Sequence, residues 1–464
     1  MSSVAIAATS DARRRLYVYL VSLVAATSGL LFGYDIAVIN GALVFLRQQL
    51  HLSEFQTEFA AGSLLIGCVF GASAGGWFSD KFGRRTMLMI SAALFALSSV
   101  GAALPRDLTE FAAARFAGGL AIGVASVLAP LYIAEVSPAK SRGRLVSLNQ
   151  MAIVSGILLA YLVNWAFSFS GPSSWRWMFA TAAIPSAGFL IALFFVPESP
   201  RWLTEMGDGA AALSILCKIS TRAEATEQLV EIEQAIAEEK GTMWELFQPG
   251  LRRASFIAIS LAILQQITGI NTVLFYGSVI FQQQVGEKSA SAAIGANVVV
   301  GLVNFLATLV ALWLIDRAGR RPLLMISSGL MALCQLALGA VFLLKNPPTF
   351  LVLGVMLCCA AAFAIGLGPG VWVLLAEMFP TRIRGRAMSV ATVFLWLACT
   401  LLTMTFLSLS RAITPSGAFW LYGVMCVVTF LIVWLITPET RGQTLEEIET
   451  MWRREDRRTK VSSN

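Results

Sequence analysis

Asp80-Lys-Phe-Gly-Arg-Arg85 returns 236 residues later as Asp316-Arg-Ala-Gly-Arg-Arg321. Each copy sits in a short polar turn between two long apolar runs. Two other stretches repeat with almost the same spacing. Glu135-Val-Ser-Pro-Ala-Lys-Ser-Arg-Gly-Arg144 returns as Glu377-Met-Phe-Pro-Thr-Arg-Ile-Arg-Gly-Arg386, 242 residues on. Pro197-Glu-Ser returns as Pro438-Glu-Thr, 241 residues on. Three matched pairs at a nearly constant offset divide the chain into two halves of the same orientation.

The runs between these turns set the class. The chain is 57% hydrophobic and 13% charged, with a mean hydropathy of +0.73, against about 25% charged for a soluble domain. Apolar runs long enough to cross about 30 Å of hydrocarbon recur along its length. They are continuous rather than alternating, so the spans are helices and not strands of a barrel. The expectation is an all-α polytopic membrane protein with twelve spans, beginning near Leu16, Phe59, Thr86, Leu108, Leu145, Trp177, Ala254, Ser291, Pro322, Phe350, Ala387 and Ala418. Six spans per half form a parallel repeat about an axis along the membrane normal. A substrate site then falls between the halves near the midplane.

Orientation follows from the basic residues. With the N-terminus inside, only Arg47, Arg106, Arg176, Lys288, Lys345 and Arg411 of the 34 Lys and Arg lie outside, and Arg115 falls within a span. The remaining 27 are cytoplasmic, which places both termini in the cytoplasm of a cell carrying this protein in its inner or plasma membrane. The net charge of +7 therefore reports topology, and no nucleic-acid partner is expected. Residues 1–200 are expected to form the first half, 201–253 a cytosolic helical linker, 254–437 the second half, and 438–464 a cytosolic helix and tail. In the linker, Ala223–Lys240 reads as an amphipathic helix with Leu229, Ile232 and Ile236 on one face. Thr444 to Glu447 reads as a capping box opening the last helix.

Much chemistry is excluded. No cleavable signal peptide is expected, because Arg13-Arg14-Arg15 leads into an apolar run too long for one. The seven cysteines lie mostly in apolar runs without metal-ligand spacing and read as packing residues. His51 reads as a solvated loop residue. The Gly-rich turns lack the Lys-Ser/Thr ending of a phosphate loop. Neither a metal, a cofactor nor a catalytic constellation is expected, and a gradient must supply the energy.

Asp35, inside Gly29-Leu-Leu-Phe-Gly-Tyr-Asp-Ile-Ala-Val-Ile-Asn-Gly41, is an acid within the first span. A carboxylate at that depth is expensive unless paired, hydrated or protonated. Arg115 is the one basic residue inside a span, about 12 Å deep at 1.5 Å per residue, so the two can meet. Intramembrane amides are the second polar feature: Gln265, Gln266 and Asn271 within seven residues, with Gln150 and Asn304 elsewhere. Amides donate and accept, as sugar hydroxyls do, and are less expensive to bury than charges. Singly, each also suits helix–helix hydrogen bonding.

Gly75-Gly-Trp-Phe-Ser-Asp-Lys-Phe-Gly-Arg-Arg85, Pro197-Glu-Ser-Pro-Arg201, Gln265-Gln-Ile-Thr-Gly-Ile-Asn271 and Pro438-Glu-Thr-Arg-Gly442 resemble the signatures of the sugar porter family of the major facilitator superfamily. The resemblance covers essentially the whole chain. In pattern it is nearest to bacterial D-xylose–proton and galactose–proton symporters, and more distant from animal glucose facilitators. It implies the major facilitator fold, twelve helices in two six-helix halves, and alternating-access transport of a monosaccharide, a hexose or pentose such as glucose, galactose or xylose. A monomer is the family expectation. By the same resemblance Gln150, Gln265, Gln266, Asn271 and Asn304 match the sugar ligands. Trp372 and Trp396 match the aromatics that close over the ring. Asp35 and Arg115 match the proton-coupling pair of symporters; the facilitators carry Asn at the position of Asp35, and an inert pair here would leave a uniporter. Asp80, Arg84, Arg85, Glu135, Arg144, Asp316, Arg320, Arg321, Glu377 and Arg386 match a cytosolic latch that closes while the carrier faces outward. The pattern departs from its relatives at Leu395 and Cys399, where xylose and galactose symporters carry an amide, and at Phe275, which lacks a hydroxyl. A non-transporting receptor is the remote alternative, set aside because the tail after Pro438 is short.

Overall fold

The computed structural model describes residues 2–138, 141–237, 243–248, 251–284, 286, 289–379 and 381–441. Among these, all regular structure is helical. The first six spans are built by α1 (Ser2–Gln49), α2 (Glu54–Phe82), α3 (Arg84–Ala103), α4 (Leu108–Glu135), α5 (Arg142–Phe167) and the pair α6 (Ser174–Ala180) and α7 (Ala183–Leu193). Then come α8 (Pro200–Glu205), α9 (Gly209–Ile219) and α10 (Arg222–Ala237). The second set is α11 (Arg252–Ile267) with α12 (Ile270–Gln284), α13 (Ala290–Ala318), α14 (Arg320–Val341), α15 (Thr349–Ile365) with α16 (Leu367–Glu377), and α17 (Thr381–Ile436).

Among the described residues, eleven stretches are long and apolar enough to cross a bilayer. The last is two spans: the backbone leaves the helix at Ile413 and Thr414 (φ 68°, ψ 157°), directly before Pro415. Proline has no N–H to continue the ladder and its ring clashes with the preceding turn. Twelve crossings result, as the hydropathy expects.

Local chemistry places the ends. Ser53 and Gln56 form a capping box at the start of α2: the Gln56 N–H donates to Ser53 Oγ at 3.3 Å, and the Ser53 N–H to Gln56 Oε1 at 2.9 Å. Asp107 caps α4 by accepting the Glu110 N–H at 2.9 Å. Between spans, small residues bring backbones together. A Cβ on Gly67 of α2 would stand 2.9 Å from the Gly119 Cα of α4, and one on Gly71 would stand 3.1 Å from the Gly123 Cα. Helices in lipid associate through such close packing, because no hydrophobic gain drives them together.

In the linker, α10 carries the expected face: Ala225 is buried, and Leu229, Ile232 and Ile236 are half-buried. The helix is described from Arg222 to Ala237. The remaining expected residues to Lys240, and the expected helix opening at Thr444, lie outside the described residues.

Candidate functional site

Asp35 of α1 and Arg115 of α4 meet, with side chains 6% and 1% exposed. Arg115 Nη1 donates to Asp35 Oδ1, and Nη2 donates to the Asp35 carbonyl at 3.3 Å. The face of the guanidinium stacks 5.1 Å from the Phe179 ring centroid, a contact that favours a desolvated cation. Asp35 Oδ2 and Arg115 Nε have no hydrogen-bond partner. The pair is thus charge-compensated yet incompletely bonded, with one carboxylate oxygen able to take up a proton.

The amides form a chain. Gln265 Nε2 donates to the Leu367 and Gly368 carbonyls at 2.7 and 3.1 Å. Gln266 Nε2 donates to Gln265 Oε1 at 3.2 Å, and Asn271 Nδ2 donates to Gln266 Oε1 at 2.5 Å and to Cys399 Sγ at 3.4 Å. A continuous helix would turn Asn271 roughly 140° away from Gln266. The break between α11 and α12, with Gly269 at φ +87°, brings the two together. A side chain at 269 would also strike Tyr422 and Gln335, at 2.6 and 2.7 Å from its Cβ.

The other residues singled out by sequence lie on α5, α13, α16 and α17. Trp396 is 1% exposed and its indole N–H has no acceptor. It packs edge-on against Phe32 across the two span sets, with centroids 5.3 Å apart. Trp372 and Gln150 are half-buried, whereas Asn304 is buried on α13. The departures have structural consequences. Cys399 ends the amide chain as a weak sulfur acceptor, Phe275 is wholly buried, and the surviving Tyr276 hydroxyl donates to the Thr403 carbonyl at 2.6 Å.

Contacts between the two span sets gather toward the end marked by Glu54 and Arg411. Glu58 of α2, wholly buried, accepts the Ser408 N–H and hydroxyl of α17 at 2.7 and 2.6 Å. Arg411 pairs with Glu54 at 3.3 Å. Asn40 of α1 donates to the Leu274 carbonyl at 2.8 Å and accepts from the Ser278 N–H and hydroxyl at 2.9 and 2.5 Å. Tyr161 donates to the same Leu274 carbonyl at 3.1 Å. This end is closed.

At the opposite end the matched motifs pair within each set. Arg84 contacts Asp80, Glu135 and, at 3.9 Å, Glu205 of α8; the first two distances are 3.2 Å. Arg320 holds Glu377 bidentately at 2.9 and 3.2 Å, and Thr440 donates to Glu377 at 2.6 Å. Arg85 and Arg321 instead cap neighbouring spans, donating to the carbonyls of Leu193 and Phe194 and of Val433 and Trp434. Arg144 is exposed, 5.8 Å from the Tyr19 ring, and Arg386 is half-buried. The Asp316 side chain lies outside the described residues.

Sequence reading missed the two acids that fasten these turns. Glu198 accepts the Arg85 N–H at 2.9 Å, and Glu439 accepts the Arg320 and Arg321 N–H groups, each at 3.1 Å. Their signal was the repeated Pro-Glu-Ser/Thr. Asn40 carried none beyond being polar inside an apolar run, and Glu58 none at all, since it ends the polar stretch before the second span.

Comparison with known proteins gives these features a lineage. The sugar (and other) transporter family matches residues 21–452. The chain is 38% identical to the arabinose-proton symporter of Bacillus subtilis, over 94% of this chain and 95% of that protein. It is 40% identical to the D-xylose-proton symporter of Escherichia coli, over 96% and 98% of the two chains. Among solved structures, the proton:xylose symporter XylE bound to 6-bromo-6-deoxy-D-glucose superposes with a TM-score of 0.83 at 38% identity, covering 95% of this chain and all of that one. An inward open conformation of XylE from E. coli gives 0.81 at 38% identity, over 94% and 100%. The architecture is therefore that of the major facilitator superfamily, the molecule is a transporter rather than an enzyme, and the chain belongs to the sugar transporter family.

Proposed function

We propose that the protein is a monosaccharide–proton symporter that works by alternating access, carrying a hexose or pentose across the cell membrane. The observation that carries this reading is the Asp35–Arg115 pair, buried inside the span bundle with Asp35 Oδ2 unbonded. A carboxylate held there by a cation, with a lone pair to spare, is suited to bind and release a proton as its surroundings change. The relatives named as arabinose-, xylose- and galactose-proton symporters point the same way.

In this reading Gln150, Gln265, Gln266, Asn271 and Asn304 answer the sugar's hydroxyls, and Trp372 and Trp396 cover its apolar face. The unpartnered Trp396 indole N–H supplies a further donor. Residues 1–200 and 254–437 act as the two moving halves, joined by 201–253 and followed by 438–464, in a monomer with both termini cytoplasmic. The closed Glu58 end is then the outer one. The charged clusters at Arg84 and Arg320, with their matched residues, form the cytosolic latch, their carboxylates exchanging partners as that side closes.

In proteoliposomes, sugar should accumulate uphill when a pH gradient is imposed. Accumulation should vanish in Asp35→Asn while sugar exchange survives. Accumulation persisting in that variant would sink the coupling role, and uptake indifferent to the gradient in the unsubstituted protein would make it a uniporter.

A further inference from the structure

Trp77 and Lys81 close the last turn of α2; at the same 236-residue offset, Trp313 and Arg317 close the last turn of α13. In each copy the cation is four residues from the indole and lies over it. Lys81 Nζ is 5.7 Å from the Trp77 ring centroid and 5.4 Å from that of Phe82, and the Arg317 guanidinium is 3.9 Å from that of Trp313. The duplication has kept the relationship while changing its parts: Arg replaces Lys, and Ala318 stands where Phe82 stands in the first copy.

Both indoles are exposed, 65% for Trp77 and 59% for Trp313. Among the described residues no carboxylate pairs with Lys81 or Arg317, unlike their neighbours Arg84 and Arg320. They stand where the apolar stretches Glu54–Phe82 and Ala290–Ile315 run out, as residues at the boundary between hydrocarbon and headgroups do. Indoles prefer that level, where one edge is wet and the body apolar. A cation held over such a ring keeps its outer N–H donors directed away from the aromatic face, available to an acceptor of opposite charge.

We propose that each pair binds the phosphodiester of an anionic phospholipid in the leaflet at the Arg84 end, with Lys81 or Arg317 on the phosphate and the indole against the glycerol. The two sites are related by the internal repeat and flank the turns that carry Arg84 and Arg320. The chemistry selects by net charge: a phosphatidylglycerol headgroup leaves the phosphate charge uncompensated, whereas phosphatidylcholine neutralises its own.

The test uses the purified full chain in detergent, offered equal amounts of phosphatidylglycerol and phosphatidylcholine with identical acyl chains, retained lipid being counted by native mass spectrometry. Phosphatidylglycerol should be retained about fivefold over phosphatidylcholine or better, up to two molecules per chain. The ratio should fall toward one in K81Q/R317Q and fall also in W77L/W313L. Each single variant, K81Q or R317Q, should lose one of the two lipids, which keeps the test decisive if the double variant does not purify. A control, R13Q/R15Q, removes two exposed cations at the same end of α1 and should leave the ratio unchanged. Equal retention of both lipids by the unsubstituted protein, an unchanged ratio in the charge variants, or an equal fall in the control would each overturn the proposal. Sugar exchange, measured in parallel, reports separately on the transport reading.

Discussion

Glu58 accepts the Ser408 N–H at 2.7 Å and the Ser408 hydroxyl at 2.6 Å, so a wholly buried carboxylate of α2 is held by α17 across the boundary between the two span sets. Alternating access requires this contact to break, because the sugar must pass that end. Removing the hydroxyl in Ser408→Ala leaves Oε2 without its donor in the closed state, while in the open state water replaces it. A hydrogen bond to a charged group is worth about 1.5–3 kcal/mol, or a shift of roughly 10- to 100-fold in the balance of states. Spin labels on the exposed Phe55 and Ile413 should therefore report a new, longer distance in Ser408→Ala. A distribution identical to that of the unsubstituted protein would show that the clasp does not set the balance.

The Asp35–Arg115 pair makes a separate prediction about stability. Arg115→Leu leaves the Asp35 carboxylate buried without its cation, and breaking a buried pair this way is destabilising by about 3–5 kcal/mol. Asp35→Leu combined with Arg115→Leu removes both charges and leaves apolar side chains of similar bulk. The double variant should melt at a higher temperature than Arg115→Leu alone in detergent, although neither should couple sugar to protons. A single variant as stable as the double would mean that the buried charge is not what matters there.

The legible part of the molecule was its periodic part. Hydropathy gives all twelve spans, and the repeated turns divide them, because both signals are properties of contiguous residues. Asp35 and Arg115 could be joined from sequence by depth alone. The amide chain could not be drawn in detail, since it depends on a helix break at Gly269 that places Asn271 beside Gln266 against helical periodicity. Glu58 and Asn40 were illegible for a similar reason: their partners Ser408 and Ser278 lie 350 and 238 residues away, and no local pattern encodes such pairing. The geometry at Arg85 and Arg321 was not legible either. Their main-chain N–H groups meet Glu198 and Glu439, and their side chains cap neighbouring spans.

Those two acids should be stabilising for the same reason. Gly83 and Gly319, at φ +92° and +93°, turn the chain into α3 and α14 so that the first free N–H groups face Glu198 and Glu439. A carboxylate at a helix N-terminus gains from the unpaired donors and from the helix dipole, by about 0.3–2 kcal/mol. Glu198→Gln and Glu439→Gln should each lower the melting temperature, with the same sign in both halves. Gly83→Ala should be worse, since its Cβ would stand 2.5 Å from Glu198 Oε2 at a left-handed φ. Thermal unfolding of the three variants checks this, and an unchanged melting temperature in both Gln variants would assign the acids no structural weight.

Asn271 is the link on which the amide chain turns, since its Nδ2 serves both Gln266 Oε1 and Cys399 Sγ. Asn271→Ala would free the Gln266 carbonyl to rotate and remove one partner for a sugar hydroxyl. Leaving a buried polar group unsatisfied costs about 1–3 kcal/mol, so sugar affinity should fall by about tenfold or more, across whichever pentoses and hexoses bind. Cys399→Ser should behave differently, because a hydroxyl oxygen is a stronger acceptor than a thiol sulfur and keeps Asn271 oriented. Its affinity should stay within about threefold of the unsubstituted protein, a difference below 1 kcal/mol. Calorimetric titration of the purified protein with xylose, arabinose, galactose and glucose separates the two cases. Equal losses in Cys399→Ser and Asn271→Ala would mean that bulk at this position governs affinity, and that the hydrogen-bonded chain does not.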